Sequence, residues 1–285
     1  MRNVNEATIT DAVIASVAKS EDPRTQEILT SLIKHLHGFV RDVNLTSHEW
    51  RVAMDLFLKA SEVTDEIRNE FIIFSDTLGV SSLVDLIDPN ETGGTEASLL
   101  GPFYVEGAPE LGFGADMLKD NDGIRTIVQG KVMDMKGVPV AGAVMDLWQN
   151  AANGLYQVQD PGQDDENLRC RTVTNDAGEY LFSTIKPVPY PVPENGPVGD
   201  MLRATGRHPW RTGHIHFKIT ADGYKPLVTE LFPDDDPYLD EDAVFGVRES
   251  LILNFVEADG AETPAMPGVE LPYCNVNFDF RLSAA

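Results

Sequence analysis

The apolar residues of this chain change their spacing about a third of the way along, and that switch narrows the folds open to it more than any other feature. Behind Asp22-Pro23, which suits an N-cap followed by the first helical position, Ile28, Leu29, Leu32, Ile33, Leu36, Phe39, Val40 and Val43 form one stripe at helical intervals. Thr46-Ser47-His48-Glu49 has the layout of a capping box, and Val52, Leu56 and Phe57 continue an apolar face behind it. A third helix is predicted from Thr64-Asp65-Glu66 through Ile67, Phe71, Ile72 and Phe74, closed by Gly79, and a shorter one is expected over residues 11–19. Such stripes ordinarily pack into a core, although an extended helical arm could also supply a dimer seam. Turn chemistry without periodicity follows at Asp88-Pro89-Asn90 and Thr92-Gly93-Gly94-Thr95.

Beyond that break the texture is one of short strands, glycines and prolines. Residues 126–133 and 143–148 read as strands around Lys136-Gly137-Val138-Pro139. Asn175-Asp176-Ala177-Gly178 is a turn before Tyr180-Leu181-Phe182, and residues 275–282 alternate strictly with period two. Repeated short strands with turn signals predict a β-sandwich, so the fold class is α+β: a helical region, then a mostly antiparallel sandwich.

A chain of 285 residues with 42% hydrophobic and 24% charged residues can bury a full core in one or two domains. Its formal net charge of −24 makes nucleic acid and anionic membrane surfaces poor partners. The opening Met1-Arg2-Asn3-Val4-Asn5-Glu6 lacks the layout of a secretory signal, and no stretch reads as a membrane span. Cys170 and Cys274 form neither a disulfide framework nor a CxxC knuckle. Unlinked thiols in a cytoplasmic protein are expected.

Within the strand-rich part, Arg211-Thr212-Gly213-His214-Ile215-His216-Phe217 carries the strongest chemical signal. On a strand over 214–219, His214 and His216 point to one face and can converge on a metal ion. Two strand histidines hydrogen-bonded at a surface would satisfy the same pattern. Further donors must come from elsewhere, and Tyr156 and Tyr190 are the candidates. Tyr190 lies in Lys186-Pro187-Val188-Pro189-Tyr190-Pro191-Val192-Pro193, where alternating prolines force extended backbone. Tyr156 follows the Trp148 strand end and a loop containing Gly154. Each tyrosine is equally compatible with a rim aromatic packed on proline. As donors, phenolates suit a hard trivalent cation such as ferric iron better than zinc, and the cation would lower their pKa. His35, His37, His48 and His208 are expected to stay outside the site; the first two lie on a helix, where i and i+2 diverge.

Tyr156, Tyr190 and Arg211-x-x-His214-x-His216 together resemble the iron site of the intradiol ring-cleavage dioxygenases. Leu100-Gly101-Pro102-Phe103-Tyr104, Leu147-Trp148-Gln149 and Thr174-Asn175-Asp176-Ala177-Gly178-Glu179-Tyr180 are similar to phrases of the same family. The likeness covers nearly the whole chain, and the helical arm resembles that of the catechol 1,2-dioxygenase branch. It implies a helical linker and dimerisation domain over residues 1–95 and a β-sandwich catalytic domain over 96–285. It also implies one Fe(III) per subunit, held by Tyr156, Tyr190, His214 and His216, and a homodimer with phospholipid in the helical arm.

The resemblance implies an activity as well. In that family a 1,2-dihydroxybenzene chelates the iron and dioxygen is inserted between the two hydroxylated carbons. Tyr190 matches the ligand that departs and then serves as the base for the second hydroxyl proton, while Arg211 matches an arginine that stabilises charge developing on the ring. Members that cleave hydroxyquinol (1,2,4-trihydroxybenzene) are similar to residues 190–199 and 240–248. They imply 3-hydroxy-cis,cis-muconate, the tautomer of maleylacetate, as product. Pocket residues carried over in the same way are Ile73, Asp76, Leu99, Gly101, Pro102, Phe103, Val192, Pro193, Arg211 and Ala243. Asp76 is the group suited to a third ring hydroxyl. Catechol-cleaving members usually have glutamine where this chain has Glu230, so no role is carried to Glu230. The competing expectations are a catechol or chlorocatechol 1,2-dioxygenase and, from another class, a non-catalytic β-sandwich binding module.

Overall fold

A computed structural model of the chain describes residues 4–87, 93–119, 122–258, 266 and 269–285. The break expected at Asp88-Pro89-Asn90 and Thr92 lies outside the described residues. Two compact units divide the chain, Met1–Leu58 and Lys59–Ala285.

The first unit holds α1 (Ile9–Val17), α2 (Pro23–Asp42) and most of α3 (Ser47–Glu62). The Asp22 side chain accepts from the backbone N–H groups of Arg24 and Thr25, and Pro23 occupies the first turn. Thr46 and Glu49 form the reciprocal cap: Thr46 N–H donates to Glu49 at 2.8 Å, and Glu49 N–H donates to Thr46 Oγ1 at 3.2 Å. The α2 stripe departs from the expectation of simple packing. Ile28, Leu32, Leu36, Phe39 and Val43 remain 50–55% exposed, so the single chain does not bury them.

The second unit contains α4 (Glu70–Thr77), α5 (Val80–Ile87) and α6 (Pro197–Ala204). The third predicted helix therefore starts at Glu70 rather than Thr64. Asp65 Oδ1 accepts from the N–H groups of Ile67 and Arg68 at 2.8 Å each, a local turn that competes with helix. Asn69 then caps Phe71 and Ile72. Gly79, at φ +73°, ends α4 as expected, and α5 begins at the next residue.

The strands are β1 (Ala115–Asp116), β2 (Arg125–Asp134), β3 (Val144–Trp148), β4 (Arg169–Val173), β5 (Glu179–Ile185) and β6 (Tyr190–Pro191). After α6 come β7 (Trp210–Arg211), β8 (Ile215–Thr220), β9 (Leu227–Pro233), β10 (Ile252–Leu253), β11 (Val256–Glu257), β12 (Tyr273–Asn277) and β13 (Phe280–Leu282). One sheet runs β1-β5-β2-β12-β11, with β13 also on β2; a second runs β10-β9-β8-β3-β4; β6 and β7 pair alone. The sheets are mixed and mostly antiparallel, as expected: β2/β5, β3/β4, β3/β8, β6/β7, β8/β9 and β11/β12 run antiparallel. The pairs β1/β5, β10/β9, β12/β2 and β13/β2 are parallel, because long connections return the chain in the same direction.

Val128, Phe182 and Val276 from the first sheet meet Leu147, Phe217, Ile219 and Leu231 from the second in one buried core. Phe182 and Phe217 cross between the sheets with centroids 6.0 Å apart. Each such fully buried side chain stabilises the fold by about 1.5–3 kcal/mol. Cys170 and Cys274 are free and buried, and burial pushes the Cys170 thiol up to about 12. Among the described residues, no helix is long and apolar enough to cross a membrane.

The alternation over 275–282 does not make one strand. It breaks at Phe278-Asp279, where Gly130 of β2 (φ +159°) lets the Phe278 carbonyl approach. A Cβ at residue 130 would lie 1.8 Å from that oxygen. Gly130→Ala is expected to cost about 3 kcal/mol or more in a denaturant titration. A loss under about 1 kcal/mol would show that the backbone yields there.

Candidate metal centre

Strand register assembles the site. Trp148 of β3, His216 of β8 and Glu230 of β9 are direct cross-strand neighbours. Tyr190 of β6 pairs with Arg211 of β7. Tyr156 opens a short 3-10 turn, its N–H donating to Gln159 Oε1 at 3.1 Å. His214 sits one residue ahead of β8, yet it still shares a face with His216: the two rings lie 4.5 Å apart, nearly perpendicular. His214 Nδ1 is 2.6 Å from the Thr212 carbonyl, which can only accept. Nδ1 therefore carries the proton, and Nε2 is bare toward the site.

The four candidate donors meet. Tyr156 Oη is 3.3 Å from His214 Nε2, 3.2 Å from His216 Nε2 and 3.4 Å from Tyr190 Oη, and the two Nε2 atoms are 3.0 Å apart. All four side chains are buried. The neighbouring walls are aromatic: Trp148 stacks on His216 at 4.6 Å and Phe103 lies 4.8 Å from Tyr156.

Burial is the main cause of the electrostatics. It pushes both histidines well below their usual pKa, helped by the Arg211 charge at His214 and by His214 at His216. Both imidazoles are therefore neutral and can donate lone pairs. Burial also raises Tyr156 well above the ordinary phenol value and raises Tyr190. Two phenols this close and this dry ionise only against a strong positive charge, so the donor set fits a trivalent cation.

A pH dependence follows for metal-free protein. A histidine whose folded pKa is depressed contributes stability that is complete above its unfolded value, near 6.5, and lost as pH falls below it. Stability should drop by up to about 1.4 kcal/mol per pH unit for each excluded imidazole. Urea midpoints of chelator-treated protein at pH 7.5 and 5.5 measure this, and equal midpoints would contradict it.

Arg211 is the hub of the polar surround. Nη1 lies 3.4 Å from Tyr190 Oη and 3.2 Å from His214 Nε2. Nη2 donates to Glu230 Oε1 at 3.1 Å, and Nε lies 3.4 Å from Asp242 Oδ1. Burial disfavours its charge, but Glu230 and Asp242 outweigh that and push its pKa further up. Glu230 is the residue that sequence reasoning left without a role. It is fully buried, and its Oε1 is 3.2 Å from His214 Nε2 and 3.5 Å from His216 Nδ1. Among the described residues, His214, His216 and Glu230 form a group whose ligand atoms lie within 4.8 Å of one another. A lone carboxylate inside the apolar run Leu227-Val228-Thr229-Glu230-Leu231-Phe232 was the signal for it. Asp242, within the acidic run 240–242, gave none.

The pocket candidates fall into two groups. Phe103 packs with Trp148, Tyr156 and Tyr190, and a Cβ on Gly101 would lie 3.4 Å from His216 Cε1. Ile73, Leu99 and Val192 belong to a separate buried cluster with Val198, Leu202 and Val244. Ala243 is buried beside Asp242, and Pro102 and Pro193 are partly buried next to Phe103 and Val192. Burial holds the Asp76 carboxyl above its usual pKa, against the Ser81 hydrogen bond and the Arg211 charge. His37 and His208 bind elsewhere, to Thr10 at 3.0 Å and Glu241 at 3.4 Å.

Comparisons with known proteins place the whole chain in a family. A family model described as Dioxygenase matches residues 99–284, and one described as Catechol dioxygenase N terminus matches 22–95. The chain is 44% identical to a hydroxyquinol 1,2-dioxygenase of Rhizobium sp. (strain MTP-10005), over 96% of this chain and 94% of the relative. It is 45% identical to a 6-chlorohydroxyquinol 1,2-dioxygenase of Cupriavidus pinatubonensis, over 91% and 95%. The crystal structure of hydroxyquinol 1,2-dioxygenase from Pseudomonas putida DLL-E4 matches with a TM-score of 0.90 and 44% identity, covering 98% of this chain and 99% of that one. The chain belongs to the intradiol ring-cleavage dioxygenase family. It is an enzyme of that class.

Proposed function

We propose that the chain cleaves hydroxyquinol between its two adjacent hydroxylated carbons, with one Fe(III) per subunit held by Tyr156, Tyr190, His214 and His216. The observation that carries this is the meeting of two phenols and two neutral imidazoles beside a buried guanidinium. Relatives at 39–45% identity that act on hydroxyquinol or its 6-chloro form support the choice of substrate. One carbon–carbon bond breaks, and both atoms of dioxygen enter 3-hydroxy-cis,cis-muconate, the tautomer of maleylacetate. The ring diol is oxidised and dioxygen is reduced.

Bound at these four donors, ferric iron supplies Lewis acidity toward a chelating diol. The protein supplies the rest. His214 and His216 stay neutral and fixed, His214 through Thr212 and His216 through stacking on Trp148. Tyr190 is the base for a ring hydroxyl proton, its oxygen 3.4 Å from Arg211 Nη1. Arg211, held from both sides, stabilises negative charge that develops on the ring. Phe103 and Trp148, packed against Tyr156, Tyr190 and His216, exclude water from the donors.

The test is oxygen uptake with hydroxyquinol, catechol and chlorocatechol, with products identified and iron quantified. Faster turnover of catechol would favour the catechol branch. No uptake, with a colourless iron-loaded protein, would remove the ligand set and leave a binding module. Asp76 is assigned to the third ring hydroxyl. Asp76→Ala should reduce the preference for hydroxyquinol over catechol by about 10-fold or more in kcat/KM, and an unchanged ratio would end that role.

The organisation proposed alongside is a linker and dimerisation domain over 1–95 and a catalytic domain over 96–285. The exposed α2 stripe supports a homodimer seam in that arm, with phospholipid as a further occupant. Free cysteines support a cytoplasmic setting.

A further inference from the structure

We propose that Glu230 is the positioning residue for Arg211: its carboxylate, acting with Asp242, fixes the plane of the guanidinium so that Nη1 faces Tyr190 and His214. The inference rests on the iron site and the role of Arg211 proposed above. The three nitrogens of the guanidinium are engaged by four different residues. Nη2 goes to Glu230 at 3.1 and 3.4 Å, Nε to Asp242 at 3.4 Å, and Nη1 to Tyr190 and His214 at 3.4 and 3.2 Å. Without the first two, Nη1 has no reason to hold its heading, because the stem of an arginine carries large rotamer freedom.

Glu230 is itself pinned. Its other oxygen accepts from Ser98, whose hydroxyl also lies 2.8 Å from the Gly246 carbonyl. Gly246 N–H in turn donates to Asp242 Oδ2 at 2.8 Å. The fit is closed: a Cβ on Gly246 would stand 2.9 Å from Arg211 Nη2 and 3.2 Å from Glu230 Oε2. Both carboxylates are thus tied to one short segment and to each other through the arginine. Both Glu230 oxygens are occupied by protein donors, which argues for an anchor of the arginine rather than a metal ligand. Its negative charge nevertheless lies 3.2–3.5 Å from nitrogens of both imidazoles, close enough to be felt at the metal.

The test uses iron-loaded protein. Glu230→Gln keeps the shape and removes the charge. It is expected to bind iron at the parent stoichiometry. With a negative charge gone, the metal accepts an electron more readily, and the tyrosinate-to-iron absorption band moves to longer wavelength. kcat with hydroxyquinol should fall about 10–100-fold while KM changes by less than about threefold. Combining Glu230→Gln with Arg211→Leu should be no worse than Arg211→Leu alone. Ser98→Ala, which only loosens Glu230, should lower kcat in the same direction and serves if Glu230→Gln fails to fold. Parent-like kcat and band position in either folded variant would overturn the proposal, as would losses that multiply with Arg211→Leu. Loss of iron in Glu230→Gln would make Glu230 a ligand and overturn it too. A parent protein lacking the band and oxygen uptake would instead defeat the iron reading itself.

Discussion

Replacing His216 by alanine is expected to leave a folded protein that retains no iron and turns over hydroxyquinol at less than about one thousandth of the parent rate. His216 is one of only two nitrogen donors in the cluster, and its Nε2 sits within 3.0–3.2 Å of both His214 and Tyr156. Removing it opens the donor set and leaves two buried phenols with no cation strong enough to ionise them. The ring is also a packing element, stacked 6° from parallel on Trp148. The truncation should therefore cost about 2–3 kcal/mol of stability as well, short of unfolding the domain. Iron quantification, the visible spectrum and a denaturant curve on one preparation separate these effects. Full iron occupancy with parent activity would remove His216 from the ligand set.

Arg211→Leu should behave differently. The variant is expected to keep its iron and its colour, lose about 10²–10³ in kcat, and lose about 3–5 kcal/mol of stability. The catalytic loss follows from a donor aimed at Tyr190 and the ring. The stability loss follows from leaving Glu230 and Asp242, at 0% and 5% exposure, without their shared cation. Arg211→Lys restores the charge without the planar fork, so it should recover much of the stability and little of the rate. A leucine variant as stable as the parent would mean that the two carboxylates find other partners.

Local chemistry made much of this legible from residues alone. Asp22-Pro23, Thr46 with Glu49, and Gly79 act through bonds within a few residues, and each appears where expected. The H-x-H pair was readable because a strand's period of two is a local property, and it survives even though His214 lies just outside β8. What stayed hidden depends on distant partners. The third helix began late because Asp65 and Asn69 compete for backbone donors, a contest propensity does not decide. The parallel course of β12 on β2 depends on a long return of the chain, and the break at Phe278 depends on Gly130, almost 150 residues earlier. Glu230 became meaningful only once β8 and β9 were placed in register. The α2 stripe showed its period but not its surroundings, and those surroundings leave it open.

The two groups of pocket candidates pack in different places: Phe103 with Trp148, Tyr156 and Tyr190, and Ile73, Leu99 and Val192 with the residues of α6 and Val244. If the second group lines the ring pocket as proposed, selection acting there would reshape which substituted rings are admitted while the four donor side chains stay in place. A lineage built this way can change its diet of aromatic compounds by small steps along α4 and the Val192 segment. A designer seeking activity toward new pollutants would do well to randomise those positions and leave the aromatic wall alone.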